Sequence, residues 1–423
     1  MNEDYLHYLW KFQKLNPSLL QTTEGENIVV KYVGIHNQNA GPDFLESKLI
    51  IGNTEWYGSV EIHVKASDWN KHKHQYDKAY NNVILHIVYE NDTVIKNSNG
   101  ELIPTIELKT IIDKAEYKKY LYFIQNGLKI TCQRQIKEIN SFTINSWIER
   151  LSITRLERKT ARIETTLKQY KGDWSQTLLH YLLRYFGMKV NGEAMEVLAI
   201  KTPFIILQKE HNRLFSLEAL LFGQAGFLNT NEIADTYFIN LRKEYLFLKQ
   251  KYGLSSMNLV NWKFSKLRPP NFPTIRIAQI AQLLHANHHL FSFIRDFATI
   301  EDYQELFQVS TSKYWETHYI FGKEVEKTKN TVGKMLIQNI IINVISPISF
   351  AYGKSINDER YCNYATQLMA KLPAENNSIV NLWKDLGIKP LSALQSQGVI
   401  ELYTNYCSSK KCLNCRVGIQ ILK

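Results

Sequence analysis

No secretory leader is expected from the opening of this 423-residue sequence, because MNEDYLHYLWKFQKL begins with acidic residues and has no basic region ahead of an apolar run. Long apolar runs are missing as well. The richest, LIQNIIINVISPISFAYG, is interrupted by polar residues and by Pro347, so no bilayer-spanning helix is expected. Both absences lead to the expectation of a soluble, cytoplasmic chain with no membrane partner. Cysteine is scarce at five residues, three of them crowded near the C-terminus, which argues against a disulfide framework and suits a reduced compartment. No segment recurs at a fixed period, so a solenoid is not expected. Acidic residues are outnumbered: 40 Asp and Glu stand against 51 Lys and Arg, a formal net charge of +11. Such an excess draws phosphate at long range and favours a polyanionic partner such as nucleic acid. A solvated basic surface accounts for the same balance.

What is present is enough apolar material, 44% of residues, to bury two or three cores. A leading amphipathic helix is expected over 3–15, with Leu6, Leu9, Trp10 and Phe12 on its apolar side and Glu3 and Asp4 in its first turn. Strands follow over 27–33, 45–51, 55–65 and 82–89, with a shorter pair at 93–96 and 102–108 and a helical segment around 70–79. From about Ile112 the period becomes helical. Helices are expected over 113–127, 140–170, 174–187, 190–209, 213–222, 230–252, 274–298, 300–307, 325–345, 358–371, 376–386 and 391–406. The stretch Arg268-Pro269-Pro270-Asn271-Phe272-Pro273 interrupts them as a linker or a rigid loop. The expected organisation is α+β: a β unit over 1–112, a large all-helical region over 113–405 and a short Cys-bearing tail over 406–423.

Chemistry concentrates between Asn39 and Tyr89. In the third strand Glu61, His63 and Lys65 alternate onto one face while Val60, Ile62 and Val64 take the other. A solvated polar face explains Lys65 well. It explains less once Asp43 is added, because an Asp after a turn and a Glu on the next strand can hold Mg²⁺ or Mn²⁺ between them, with a basic neighbour for the attacking water. Asp68, His72, His74, Asp77 and His86 follow, so Asp43, Glu61, His72, His74 and Asp77 are candidate metal ligands, though their spacing matches no standard zinc signature. For each histidine alone, a hydrogen-bonded structural role competes. His86, inside Ile84-Leu85-His86-Ile87-Val88, fits that role best.

The runs NAGPDF, GSVEIH, SDW and HKHQYDKAYNNVILHIVY, with LFGQAGFL, RPPNFPTIRIAQIAQLL and SQGVIELYTNYCSSKKCLNC further on, resemble the uncharacterised bacterial family catalogued as domain of unknown function 2851. That resemblance spans nearly the whole chain and implies no activity. Glu3, Asp43 and Glu61-x-His63 resemble, more distantly, the PD-(D/E)XK nucleases, in which a helical acid, an Asp after Pro and an acid two residues before a Lys form one site. This second resemblance implies a restriction-endonuclease-like sheet. His63 stands where that pattern has Lys, and Lys65 is the nearest lysine on the same face.

Two features lie outside this stretch. Ile148 to Lys168 carries Arg150, Arg155, Arg158, Lys159, Arg162 and Lys168 against Glu149, Glu157 and Glu164, a helix face that can track a phosphate backbone or form ion pairs of its own. Cys407-x4-Cys412-x2-Cys415 offers three thiols for zinc or an iron–sulfur cluster, with Cys362, Cys132 or a histidine as the fourth ligand; free buried thiols are the alternative. The expected function is metal-dependent phosphodiester hydrolysis of nucleic acid. Asp43 and Glu61 would hold Mg²⁺ or Mn²⁺, His63 or Lys65 would handle the water, Glu3 would assist, and Arg155, Arg158, Lys159 and Arg162 would bind nucleic acid. The alternative is a non-catalytic nucleic-acid or protein interaction module with a structural His/Asp cluster.

Overall fold

The computed structural model describes residues 1–37, 40–230, 233, 235–259 and 262–422. Gln38 and Asn39 of the expected turn, and residues 231, 232 and 234 at the head of the expected 230–252 helix, lie outside the described residues. The chain divides into two compact units. Unit 1 is Met1–Ile144 with Thr404–Lys423, and unit 2 is Asn145–Tyr403. The boundary expected at residue 112 therefore falls at 144–145, and the Cys-bearing tail belongs to unit 1 instead of standing alone.

Unit 1 is built on one mixed sheet. Helix α1 (Glu3–Lys11) starts at Asn2, whose side chain accepts from the Tyr5 N–H, and carries its acidic residues in the first turn, where the helix dipole favours them. Strands β1 (Ile28–Tyr32), β2 (Ile35–His36), β3 (Phe44–Ile51), β4 (Thr54–Lys65), β5 (Val83–Glu90) and β6 (Thr105–Glu107) follow. The order across the sheet is β1-β3-β4-β5-β6, with β2 also paired to β3. β1, β2 and β4 run antiparallel to β3, whereas β4, β5 and β6 run parallel. A parallel step needs a crossover. Here it is the short helix α2 (Asp68–Lys71) and two 3₁₀ turns, 74–76 and 78–80, in place of the single helical segment expected over 70–79.

Burial on both faces explains the run of apolar residues in β5. Val60, Ile62, Leu85, Ile87 and Ile106 cluster with Tyr5, Leu6, Leu9 and Trp10 of α1, while Val88 joins Trp69, Tyr80, Ile95 and Ile103. The second half of β4 is accordingly buried residue after residue, Glu61 and His63 included. The solvated polar face considered for that strand begins only at Lys65. Helix α3 (Lys114–Ile124) supplies Tyr120 to the first cluster, and Leu413 of the tail enters the same cluster. This packing is why both belong to unit 1.

Unit 2 contains α4 (Ser141–Gln169) from Asn145 onward, α5 (Trp174–Phe186), α6 (Met188–Lys201), α7 (Phe204–Lys209), α8 (Leu214–Gln224), α9 (Thr236–Tyr252), α10 (Pro273–Ala286), α11 (Leu290–Arg295) and α12 (Ile300–Phe307). After them come β7 (His318–Ile320), β8 (Lys323–Glu324), α13 (Lys334–Ile340), α14 (Ser346–Ile356), α15 (Glu359–Lys371), α16 (Ser378–Asp385) and α17 (Ala393–Leu402), while α18 (Arg416–Ile421) lies in the tail. The region is not all-helical, since β7 and β8 form a small antiparallel ribbon just ahead of the expected 325–345 helix. The expected 190–209 helix breaks at Thr202-Pro203, where Pro203 leaves the helical region before α7. The proline-rich stretch is a 3₁₀ turn followed by Pro273 at the first position of α10, so it opens a helix within unit 2 and links no units.

The apolar run around Pro347 also departs from expectation. A π turn over 341–345 joins α13 to α14, so that Lys334–Ile356 forms 23 continuous helical residues whose most apolar 18-residue window has mean hydropathy 1.5, long and apolar enough to cross a membrane. Pro347 sits in the first turn of α14, immediately after the π turn. Of its most apolar window, 72% is buried inside the protein, as for a core helix.

Candidate metal centre

The antiparallel register of β3 and β4 sets Phe44 opposite Val60, which brings Asp43, just ahead of β3, against Glu61. Gly41 makes the approach possible with φ of +104°, a region that side-chain-bearing residues avoid. The Asn37 side chain then ties the turn down by donating to the Ala40 and Pro42 carbonyls. Two reciprocal bonds lock the acids together: Asp43 N–H donates to Glu61 Oε2 at 3.0 Å, and Ile62 N–H donates to Asp43 Oδ2 at 2.9 Å. Burial, with the Asp43 charge adding to it, pushes the Glu61 carboxyl far above the ordinary carboxylate range. On α1, Glu3 is raised by burial as well, and His7 lies 3.3 Å from Asp43 Oδ2. Burial opposes the charged form of His7, but pairing with the nearby Asp43 carboxylate outweighs it, so the His7 pKa is raised.

The free oxygen of Glu61 faces imidazoles. Its Oε1 lies 3.4 Å from His74 Nε2 and 3.5 Å from His63 Nε2, and His63 Nε2 lies 3.2 Å from His72 Nδ1. The ligand atoms of His63, His72 and His74 all fall within 4.8 Å of one another. A tetrahedral ion with bonds of about 2.1 Å to nitrogen and oxygen has ligand-to-ligand edges of about 3.4 Å, so the three measured edges suit one ion. Lys73 helps by taking a left-handed conformation, φ +63°, between His72 and His74. Behind His63, its Nδ1 meets His86 Nε2 at 2.9 Å. When His63 donates that Nδ1 proton to His86, its Nε2 is left as a lone pair facing Glu61 and His72. Trp69 and Tyr80 wall the cluster, with Tyr80 stacked on His74 at 3.8 Å between centroids. Burial, followed by the neighbouring His74 and His72, pulls the His63 pKa down to about 4, which keeps the imidazole neutral and ready to ligate. His72 is exposed, so solvent reaches the centre from its side.

A family match covers residues 3–378, under the description protein of unknown function, DUF2851. The chain belongs to this family. No curated protein and no solved structure matches it. In this DUF2851 member the matched span contains every group of the centre, from Glu3 to His86, and ends before the cysteine tail.

The remaining expected site residues lie apart from the three-imidazole group. Asp77 is exposed, and its carboxylate accepts from the Ala79 N–H to cap the 78–80 turn. Lys65 is exposed with its ammonium 3.7 Å from Glu90, and Asp68 accepts from the Lys65 N–H and pairs with Lys71. On α4, Arg155 and Arg158 both reach Glu401, at 3.2 Å and 2.7 Å, and Lys159 bonds to Asn343 and Gln397. These three form an internal network with α17 instead of a phosphate-facing stripe, because the helical period that aligned them turned them toward a buried carboxylate. Arg162 is exposed. Sequence reasoning missed His7 and the partnership of His63 with His86. The first had a signal, since His7 lies four residues after Glu3 on one helix face; the second depends on the parallel β4–β5 register, which sets Glu61 beside His86 and His63 beside Val88.

Proposed function

We propose that unit 1 is a metal-dependent hydrolase of phosphodiester bonds in nucleic acid. The observation that carries this reading is the imidazole triad of His63, His72 and His74, whose ligand atoms lie within 4.8 Å of one another, with Glu61 Oε1 3.4 Å from His74 and 3.5 Å from His63, Asp43 and Glu3 nearby and one side open to solvent. A bound divalent ion supplies a Lewis acid and a water of lowered pKa. Three imidazoles favour Zn²⁺, Mn²⁺ or Fe²⁺ over Mg²⁺, which prefers oxygen ligands. In this reading Glu61, His63, His72 and His74 hold the ion and His86 orients His63. Asp43 fixes Glu61 through the backbone, and His7 shares a proton with Asp43 at the margin of the site. Exposed Lys71 and Lys73 flank His72 and offer charge to a phosphate backbone. The placement of Glu3 on a helix, Asp43 after Pro42 and Glu61-x-His63 on the next strand supports kinship with the PD-(D/E)XK nucleases.

The test begins with metal content of the purified chain, followed by single- and double-stranded DNA and RNA substrates with Zn²⁺, Mn²⁺, Fe²⁺ or Mg²⁺. Cleavage by the wild type that disappears in Glu61→Gln and His72→Ala, both still folded, is the expected result. A metal-loaded wild type that cleaves none of these substrates would overturn the assignment.

A further inference from the structure

Four of the five cysteines meet at one place in unit 1. Cys132 follows α3 in a loop held by the Asn126 side chain, which donates to the Thr131 carbonyl at 2.8 Å while its Oδ1 accepts from the Leu128 N–H. Cys407 ends a π turn over 403–407, and Cys412 and Cys415 bracket a 3₁₀ turn closed by a 3.2 Å bond from the Cys415 N–H to the Cys412 carbonyl. Lys410, with φ of +53°, reverses the chain between Cys407 and Cys412, and the Lys411 N–H donates back to the Tyr406 carbonyl at 2.8 Å. All four sulfurs line one cavity of about 10 Å³ together with Thr131, Tyr406, Lys411 and Gly418, and none is in a disulfide. Cys362 sits elsewhere, in unit 2, against the Phe350 carbonyl.

Neutral thiols pack in a buried pocket as small apolar groups, but four of them converging on one cavity from separate segments also make a complete ligand set for a metal. A metal bound there deprotonates the thiols that ligate it. The spacing discriminates between metals. One zinc ion with bonds of about 2.3 Å gathers its four sulfurs to edges of about 3.8 Å. Among the described residues the set of three or more ligand atoms lying within 4.8 Å of one another is the histidine triad; the four sulfurs stand wider apart, around a cavity that admits a water-sized sphere. A four-iron cubane spreads its thiolates more widely than a single ion does.

We propose that Cys132, Cys407, Cys412 and Cys415 hold an iron–sulfur cluster of the four-iron class, which fastens the C-terminal segment to the sheet unit. The tail's other contacts include Leu413 in the α1–α3 core, Ile419 and Leu422 against it, and the Tyr8 hydroxyl donating to the Leu422 carbonyl at 3.1 Å. The cluster would contribute folding free energy by closing the long loop from Cys132 to Cys407.

The experiment is anaerobic purification of the full chain, with iron, acid-labile sulfide and zinc measured per chain and the visible spectrum recorded. Expected are a brown protein and about four iron and four sulfide per chain. Cys132→Ser should lose them, while Cys362→Ser keeps them. If Cys132→Ser is insoluble, alkylation of the native wild type decides: the cluster should shield Cys132, Cys407, Cys412 and Cys415 from a thiol reagent until it is oxidised away. Zinc without sulfide, kept in His72→Ala and lost in Cys132→Ser, would overturn the cluster. So would full iron in Cys132→Ser, or equal alkylation of the four thiols before and after oxidation in a chain reconstituted with ferrous iron and sulfide. Sulfide content and thiol alkylation report on the cysteines alone, and His72→Ala separates any zinc or iron held at the histidine centre.

Discussion

Replacing Glu61 by Gln tests the histidine centre in two opposite directions. Without metal, Glu61 is a carboxyl buried beside Asp43 that keeps its proton well above its ordinary value of 4.5, where the unfolded chain releases it. The folded state then binds more protons than the unfolded one, so this residue's contribution to stability declines as pH rises from 4.5. At about 1.4 kcal/mol per pH unit, the interval from 4.5 to pH 7 sets the burden at about 3 kcal/mol. Gln is uncharged, nearly isosteric and still able to accept from the Asp43 N–H. Urea denaturation in EDTA at a series of pH values should therefore show Glu61→Gln level with the wild type near pH 4.5 and more stable by up to about 3 kcal/mol at pH 7. Comparing the two chains at each pH cancels His63, which acts with the opposite sign: its pKa, lowered to about 4, removes stability as pH falls from 6.5 toward 4. Adding Zn²⁺ or Mn²⁺ at a hundred times its dissociation constant should stabilise the wild type by about 2.7 kcal/mol and the variant by much less, which closes or inverts the gap. A variant less stable than the wild type at pH 7 in EDTA, or one that gains as much from metal, would refute the reasoning.

Two further substitutions probe the parts around it. His86→Leu removes the acceptor behind His63 and should weaken metal binding about 10- to 100-fold in a competition titration while the fold persists; unchanged affinity would show that His86 does not position His63. Glu401→Ala strips the buried carboxylate from Arg155 and Arg158 and should destabilise unit 2 by about 3–5 kcal/mol in denaturant unfolding, whereas a loss below about 1 kcal/mol would mean that these arginines are free to serve another partner.

Local pattern was enough to determine much of unit 1. Alternation gave β3, β4 and β5 to within a residue or two, the polar start and apolar stripe gave α1, and the concentration of Asp43, Glu61 and the histidines in one stretch located the candidate chemistry. What local pattern does not encode is which strands become neighbours and in what direction. The antiparallel β3–β4 register joined Asp43 to Glu61, and the parallel β4–β5 step joined His63 to His86 and folded the crossover so that His72 turned back onto His63 and His74 onto Glu61. Asp77 shares that crossover with them, yet its carboxylate caps a 3₁₀ turn, a choice set by backbone geometry and invisible in spacing. Periodicity likewise aligned Arg155, Arg158 and Lys159 on one helix face but was silent on whether that face met solvent or the buried Glu401. The fourth cysteine is the plainest case. Sequence offered Cys132, Cys362 and the histidines as equal partners for the tail, and only packing of the tail beside α3 brought Cys132 to the cavity, because side chains far apart in sequence converge where burying apolar surface carries them.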